Sequence, residues 1–218
     1  MKRRFDLIAF DWDGTLSNST ALIARSIQNA CQDVGTTVPT LEQASYVIGL
    51  GLRDALTYAA PDLPQDRYND LAAAYRKHYF ASQHELVLFD GSLDMLRTLK
   101  ERNHFLAVAT GKSRRGLDEA LAHAQLGALF DSSRTADETA SKPDPLMLRE
   151  LMQEMGVTPE RTLMIGDTTH DLLMASNAGV ASVGVSFGAH DHEAFEPHAP
   201  LFVAHSTQEL HDWLVTHG

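Results

Sequence analysis

A doubly wound, Rossmann-like parallel α/β sheet with an inserted helical cap is the fold class this sequence predicts, on three observations. Short runs dense in Ile, Val, Leu and Phe recur along the chain without polar alternation, the pattern of parallel strands covered on both faces. Amphipathic helical spacings lie between them, and strands that alternate with helices imply crossover connections within one parallel sheet. The third observation is an interruption. From about residue 17 to residue 85, helical patterns follow one another with no convincing strand between them.

The first apolar run, residues 5–10, predicts the opening strand. The insertion follows. Leu22, Ile23, Ile27, Ala30, Cys31 and Val34 keep a three-four spacing, and Gly35 suits the position just past a helix end. Thr40 with Gln43 three residues on reads as a capping box, and residues 68–80 carry a third helical pattern. About 70 residues leave such an insert little core of its own. A small cap on the sheet is therefore expected rather than an independent domain, with 1–16 and 86–218 as the catalytic core and 17–85 as the cap.

Beyond the insert, Ser92 opens a helix with Leu93, Leu96 and Leu99 on one stripe, leading into a strand over Phe105–Thr110. Pro145 starts another helix, with Leu148, Leu151, Met152 and Met155 at helical spacing. Strands are expected over 162–165, Ala181–Val185 and 201–204, and a short amphipathic helix over 207–215.

Composition narrows the function. A chain of 218 residues can bury a full core without a staple, and Cys31, the one cysteine, rules out an internal disulfide and fits a reducing compartment. The formal net charge of −11 argues against general nucleic-acid binding, which needs a basic surface. Lys2, Arg3 and Arg4 precede an apolar run that Asp6 interrupts. That run is too short for a signal peptide or a membrane span, so a cytoplasmic protein with no membrane partner is expected.

The strongest chemical signal ends the first strand: Asp11-Trp12-Asp13-Gly14-Thr15. Two carboxylates one residue apart in extended chain face the same side. They repel unless a cation or a shared proton compensates, and oxygen donors of this kind suit Mg²⁺. In open α/β sheets ligands bind beyond the carboxyl ends of strands, where this pair lies. Three further signals also follow strands. Thr110-Gly111-Lys112 offers a hydroxyl and backbone N–H groups able to hold a phosphate. Pro143 holds Lys142 extended just before a helix. In Gly166-Asp167-Thr168-Thr169-His170-Asp171, the second aspartate lies one helical turn beyond the first and faces the same way. Taken singly, each has a plain structural reading: a turn, a solvated lysine, or aspartates favoured by a helix dipole.

In this order, Asp11-x-Asp13-Gly14-Thr15, Thr110, Lys142-Pro143 and Gly166-Asp167-x-x-x-Asp171 resemble the haloacid dehalogenase superfamily. With the helical insert after the first motif, the chain looks like the helical-cap phosphatases, among them phosphoglycolate phosphatases. The resemblance implies Asp11 as nucleophile, forming an aspartyl-phosphate, and Asp13 as general acid and base. It implies Mg²⁺ held by Asp11, the Asp13 backbone carbonyl and Asp167, with Asp171 ordering a metal-bound water. Thr110 and the Gly111 N–H would hold phosphate oxygens, and Lys142 would balance the carboxylates. An aspartate at position 13 speaks against dehalogenation, because a halide leaving group needs no proton. Asn18 departs from relatives that carry an Asp before the serine, a change expected to affect cap geometry or substrate contact.

Substrate choice is expected to fall to the cap segment Ile48-Gly49-Leu50-Gly51-Leu52-Arg53, where the glycines let backbone approach a small ligand. Arg53 is the candidate for a carboxylate or second phosphate, and Lys112 a second substrate contact; Arg76 and Lys77 read as solvated helix positions. The expected partner is a small phosphate ester, with phosphoglycolate or a sugar phosphate foremost, handled by a monomer or weak homodimer. A phosphosugar mutase would keep the same aspartates, and a binding module without activity would be expected to have lost one. His190, His192, His198 and His205 match no zinc framework and are assigned to a surface loop; Trp12 is expected to pack on the core.

Overall fold

The computed structural model describes residues 4–218; residues 1–3, which begin the first core segment and include two of the N-terminal basic residues, lie outside the described residues. The strands are β1 (Leu7–Phe10), β2 (Phe105–Thr110), β3 (Ser132–Thr135), β4 (Thr162–Gly166), β5 (Ala181–Val185) and β6 (Val203–Ala204). They form one sheet in the order β3-β2-β1-β4-β5-β6, with every neighbouring pair parallel. The predicted doubly wound sheet is therefore observed, and the chain reverses its winding direction at β1, between β2 and β4.

Helices α5 (Ser92–Glu101), α6 (Arg114–Ala124), α7 (Leu146–Met155), α8 (Thr169–Ala178) and α9 (Thr207–His217) cover the two faces. Alternation along each strand divides the core between them. Ile8, Phe10, Leu106, Val108 and Ile165 pack with Met95, Leu96 and Leu99 of α5 and Leu210 and Leu214 of α9. Leu7, Ala9, Ala107, Ala109 and Met164 meet Leu148 and Leu151 of α7 and Met174 of α8. Trp12 joins the first of these layers, as expected.

The insertion consists of α1 (Thr20–Val34), α2 (Leu41–Tyr46), α3 (Leu52–Ala59) and α4 (Tyr68–Ser82). Its apolar stripes close on one another: Ile23, Ile27, Ala30 and Cys31 of α1, with Leu56 of α3 and Leu71 of α4, form a cluster separate from both sheet layers. Cys31 is fully buried within it. The local signals hold. Gly35 adopts φ +70° after α1, and Thr40 and Gln43 form the reciprocal capping box. The outgoing and returning strands of chain are tied to each other, Asn18 N donating to Val87 O at 3.0 Å and Phe89 N to Leu16 O at 3.0 Å.

Several elements differ from expectation. The first strand begins at Leu7, β4 continues through Gly166, and the run 201–204 yields only two strand residues, because Leu201 is 43% exposed. Pro145 caps α7 from outside, and α9 extends to His217. Strand β3 and helix α6 are not among the expected elements, and α3 falls inside the expected helical insert without being delimited there.

Candidate active site

Register brings the chemistry together. Phe10 pairs with Val108 of β2 and with Ile165 of β4, so the residues that follow all three strands emerge at one level of the sheet. Asp11 N donates to Ile165 O at 2.9 Å, which fixes the first residue past β1. Gly14 then turns the chain at φ +87°, and a Cβ there would overlap the Asp167 carboxylate. Both the backbone angle and the space require glycine.

Asp11, Lys142, Asp167 and Asp171 are all buried. Lys142 Nζ lies 2.7 Å from Asp11 Oδ1 and 2.6 Å from Asp171 Oδ1, so one ammonium bridges two carboxylates. It is supplied from the loop before α7, where the Lys142–Pro143 bond is cis. Asp167 is held from two sides: Thr15 Oγ1 donates to Oδ1 at 2.8 Å and Ala189 N to Oδ2 at 2.7 Å. Asp171 has a capping role as well, its Oδ2 accepting from Thr168 N at 3.1 Å and Thr168 Oγ1 at 2.7 Å. Thr110 is buried beside them, its Oγ1 accepting from Lys112 N at 3.2 Å.

Oxygens of Asp11, Asp167 and Asp171 lie within 4.8 Å of one another, and Asp11 Oδ2 is buried with no hydrogen bond among the described residues. Three carboxylates against one lysine leave an excess of negative charge. Burial pushes the Asp11 carboxyl up to about 7 even though Lys142 opposes the shift. Burial likewise raises Asp167 well above the carboxylate range, reinforced by Asp11 and Asp171. An all-oxygen cluster with an orphaned buried oxygen and surplus charge fits a hard divalent cation.

Asp13 lies at the edge of this cluster. Its Oδ1 accepts from Ser19 Oγ at 2.7 Å and lies 3.0 Å from Lys112 Nζ. Lys112 also donates to the hydroxyl of Tyr79, on α4 of the insertion, at 2.9 Å. Burial alone would lower the Lys112 pKa, but Asp13, Tyr79 and Tyr75 together outweigh it and the amine is held above its ordinary value.

The insertion lies directly over these groups. Gly51 N donates to Ser141 Oγ at 2.8 Å, and the Tyr46 carbonyl accepts from His170 Nε2 at 2.8 Å and His190 Nε2 at 3.0 Å. Tyr46 stacks on His190, with ring centroids 5.2 Å apart. His190 is therefore buried at this junction, a correction to the surface-loop assignment; His192 and His205 are exposed and His198 half-buried. The loop sequence gave no sign of it, because the partner that buries His190 lies 144 residues away.

A cavity of about 420 Å³ opens beside Asp13, between the insertion and the sheet. Ile23, Ile27, Tyr75, Tyr79 and Phe80 supply much of its wall, and Gly111 and Lys112 part of its floor. Arg53 and Arg76 line it too; both side chains are exposed and neither has an ion pair among the described residues. Lys77 lies away from it and pairs with Asp33. Sequence reasoning had singled out neither Tyr79 nor Ser19.

Gly111 marks a close approach of the insertion to the loop after β2. A Cβ there would overlap the carbonyl oxygens of Gly49 and Leu50, and backbone cannot give way as a flexible side chain does. Gly111→Ala is expected to lift the 49–51 loop. Amide exchange at Leu50 and Gly51 should then accelerate by about 10-fold or more, with exchange in β1 and β4 unchanged. Unaltered exchange at Leu50 would show that the loop is not wedged against position 111.

A family model described as haloacid dehalogenase-like hydrolase matches residues 8–185. A phosphoglycolate phosphatase of Aliivibrio fischeri is 34% identical over 208 residues, covering 91% of each chain. A 5'-nucleotidase of Pseudomonas aeruginosa is 32% identical over 225 residues, covering 98% of this chain and 97% of its own. Among solved structures, a hydrolase from Pseudomonas syringae superposes with a TM-score of 0.87 at 23% identity, covering 96% of this chain and 97% of its own, which speaks for the fold.

Proposed function

The chain belongs to the haloacid dehalogenase-like hydrolases, and from that premise we propose that it is a Mg²⁺-dependent phosphatase acting on a small phosphate monoester through an aspartyl-phosphate on Asp11. The observation that carries this reading is the Asp11 carboxylate itself: buried at the switch point of the sheet, bridged by Lys142 to Asp171, with Oδ2 free of hydrogen bonds among the described residues.

Asp11 attacks phosphorus while Asp13 protonates the departing oxygen, and Asp13 then takes a proton from the water that cleaves the aspartyl-phosphate. Thr110 and the Gly111 N–H hold non-bridging oxygens, and Lys142 keeps Asp11 oriented while offsetting the charge gathered there. Asp11, Asp167 and the Asp13 backbone carbonyl would hold Mg²⁺, with Asp171 beside them ordering a water. When bound, the cation lets an anionic nucleophile approach an anionic phosphate. Transition states of phosphoryl transfer are loose, so positioning and charge compensation carry most of the catalysis.

Residues 17–85 serve as the cap that excludes water and selects the leaving group. Arg53, at the cavity and without an ion pair among the described residues, suits an ester with a second anionic group, as in a phosphorylated acid or sugar phosphate. The relatives' names, phosphoglycolate phosphatase and 5'-nucleotidase, support the reaction class and leave the size of the leaving group open.

The direct test is phosphate release by purified protein from a panel running from phosphoglycolate through sugar phosphates to nucleoside monophosphates. Release that requires Mg²⁺, stops with a chelator and is fastest for one of the smaller esters is the expected result. No release from any ester, or conversion of a sugar phosphate to its isomer without free phosphate, would overturn the proposal.

A further inference from the structure

Lys112 was read from sequence as a contact for substrate, yet its amine is already engaged. It reaches Asp13 Oδ1 at 3.0 Å and the Tyr79 hydroxyl at 2.9 Å, with only 10% of its side chain exposed. Lysines are seldom buried this deeply unless paired. Asp13 is similarly enclosed, at 10%, and Ser19 is its other polar side-chain partner. The pairing joins two layers of the molecule. Asp13 and Lys112 come from loops after β1 and β2, whereas Tyr79 comes from α4, stacked 5.9 Å from Tyr75. Helix α4 also packs against α1 inside the insertion's own apolar cluster. Any shift of the insertion relative to the sheet therefore moves the Tyr79 hydroxyl, and with it one of the two contacts that fix the lysine.

We infer that Tyr79 and Lys112 are positioning residues through which the insertion sets the orientation of Asp13. The inference rests on the reading of Asp13 as the acid that protonates the leaving oxygen. A carboxylate on a short side chain turns freely about its last bond. Ser19 and Lys112 both hold Oδ1, which leaves the other oxygen of this cavity-lining residue for the leaving group. The Tyr79 hydroxyl keeps the lysine from folding away. Proton delivery is then complete only while α4 lies over the sheet, so closure assembles the acid as well as excluding water.

The test compares kcat/KM, which reports the steps up to transfer onto Asp11, for two esters. One is 4-nitrophenyl phosphate, whose phenolate departs with little help from a proton; the other is an alkyl phosphate, whose alkoxide needs one. General acids contribute about 10²–10⁴-fold, and a residue acting on that acid is expected to recover part of this range. Tyr79→Phe, which keeps the ring and its packing, should cost roughly 10-fold on the alkyl ester, and Lys112→Met roughly 100-fold. On 4-nitrophenyl phosphate both losses should shrink several-fold, as the loss from Asp13→Asn should. Equal losses on the two esters, or none on either, would overturn the inference, because a structural role or a direct substrate contact does not depend on leaving-group basicity. Wild-type turnover separates the two claims. A wild type that hydrolyses neither ester fails the phosphatase reading itself, whereas ester-independent losses in an active enzyme refute only the role of Tyr79 and Lys112.

Discussion

Asp11→Asn is expected to abolish turnover, by roughly 10⁴-fold or more, because the covalent step proposed above has no other nucleophile to use. The same change should leave the fold no weaker when divalent cations are chelated. Burial is the largest influence on Asp11 and raises its carboxyl to about 7, against the opposing pull of Lys142. The linkage follows from that direction. Between its ordinary value near 4 and about 7 the folded state keeps a proton that the unfolded chain has lost, so folding loses stability as pH rises through that window. Asparagine has no such proton. In chelator, the thermal midpoint of the variant should therefore gain on wild type between pH 5 and pH 8, and Mg²⁺ should narrow the gap by stabilising only the wild type. A variant that stays active, or a wild type that gains on Asp11→Asn as pH rises in chelator, would show that the carboxylate is neither the nucleophile nor strained by its surroundings.

Lys142→Met should be the most damaging substitution for stability. The ammonium is fully buried between Asp11 and Asp171, so its removal leaves buried carboxylates with no organic counter-charge. Breaking a buried pair in this way costs about 3–5 kcal/mol. Part of that cost should be returned by added Mg²⁺, the cation proposed for this cluster, and turnover should fall by roughly 10³-fold because Asp11 loses its orientation. Urea unfolding with and without Mg²⁺ measures both effects. A midpoint unchanged from wild type in chelator would mean that Lys142 does not hold the cluster together.

How far the sequence could be read depended on where each interaction partner lies along the chain. Strands β2 and β5 were legible over their whole length because all but the first residue of each is buried and the buried side chains are mostly apolar. Strand β3 was invisible because it is an edge strand of Ser132-Ser133-Arg134-Thr135, whose arginine is engaged by Glu150 and Glu154 of α7. Helix α6 has only Leu117 fully buried, too sparse a stripe to stand out among charged neighbours. The capping box at Thr40 and the glycine after α1 are local, and both were read correctly. At the site, Asp11, Lys142, Asp167 and Asp171 were singled out by motif and do meet: strand register delivers Asp11 and Asp167 to one level, the first turn of α8 carries Asp171, and the loop before α7 supplies Lys142. The Tyr79–Lys112–Asp13 chain was not legible. It joins a cap helix to two strand loops, and nothing in the residues around Tyr79 marks it as different from any other helical tyrosine.

The buried position of Cys31 has a practical consequence. It is the sole thiol of the chain, and it sits in the interior of the inserted helices, away from the sheet. A thiol reagent in solution can reach it only when those helices part, so its labelling rate acts as a clock for breathing of the insertion alone. The native protein thus carries an internal reporter that needs no engineered probe. It can tell a cap that loosens as a unit from a molecule that unravels throughout, provided the labelling rate is compared with the loss of sheet structure measured in the same sample.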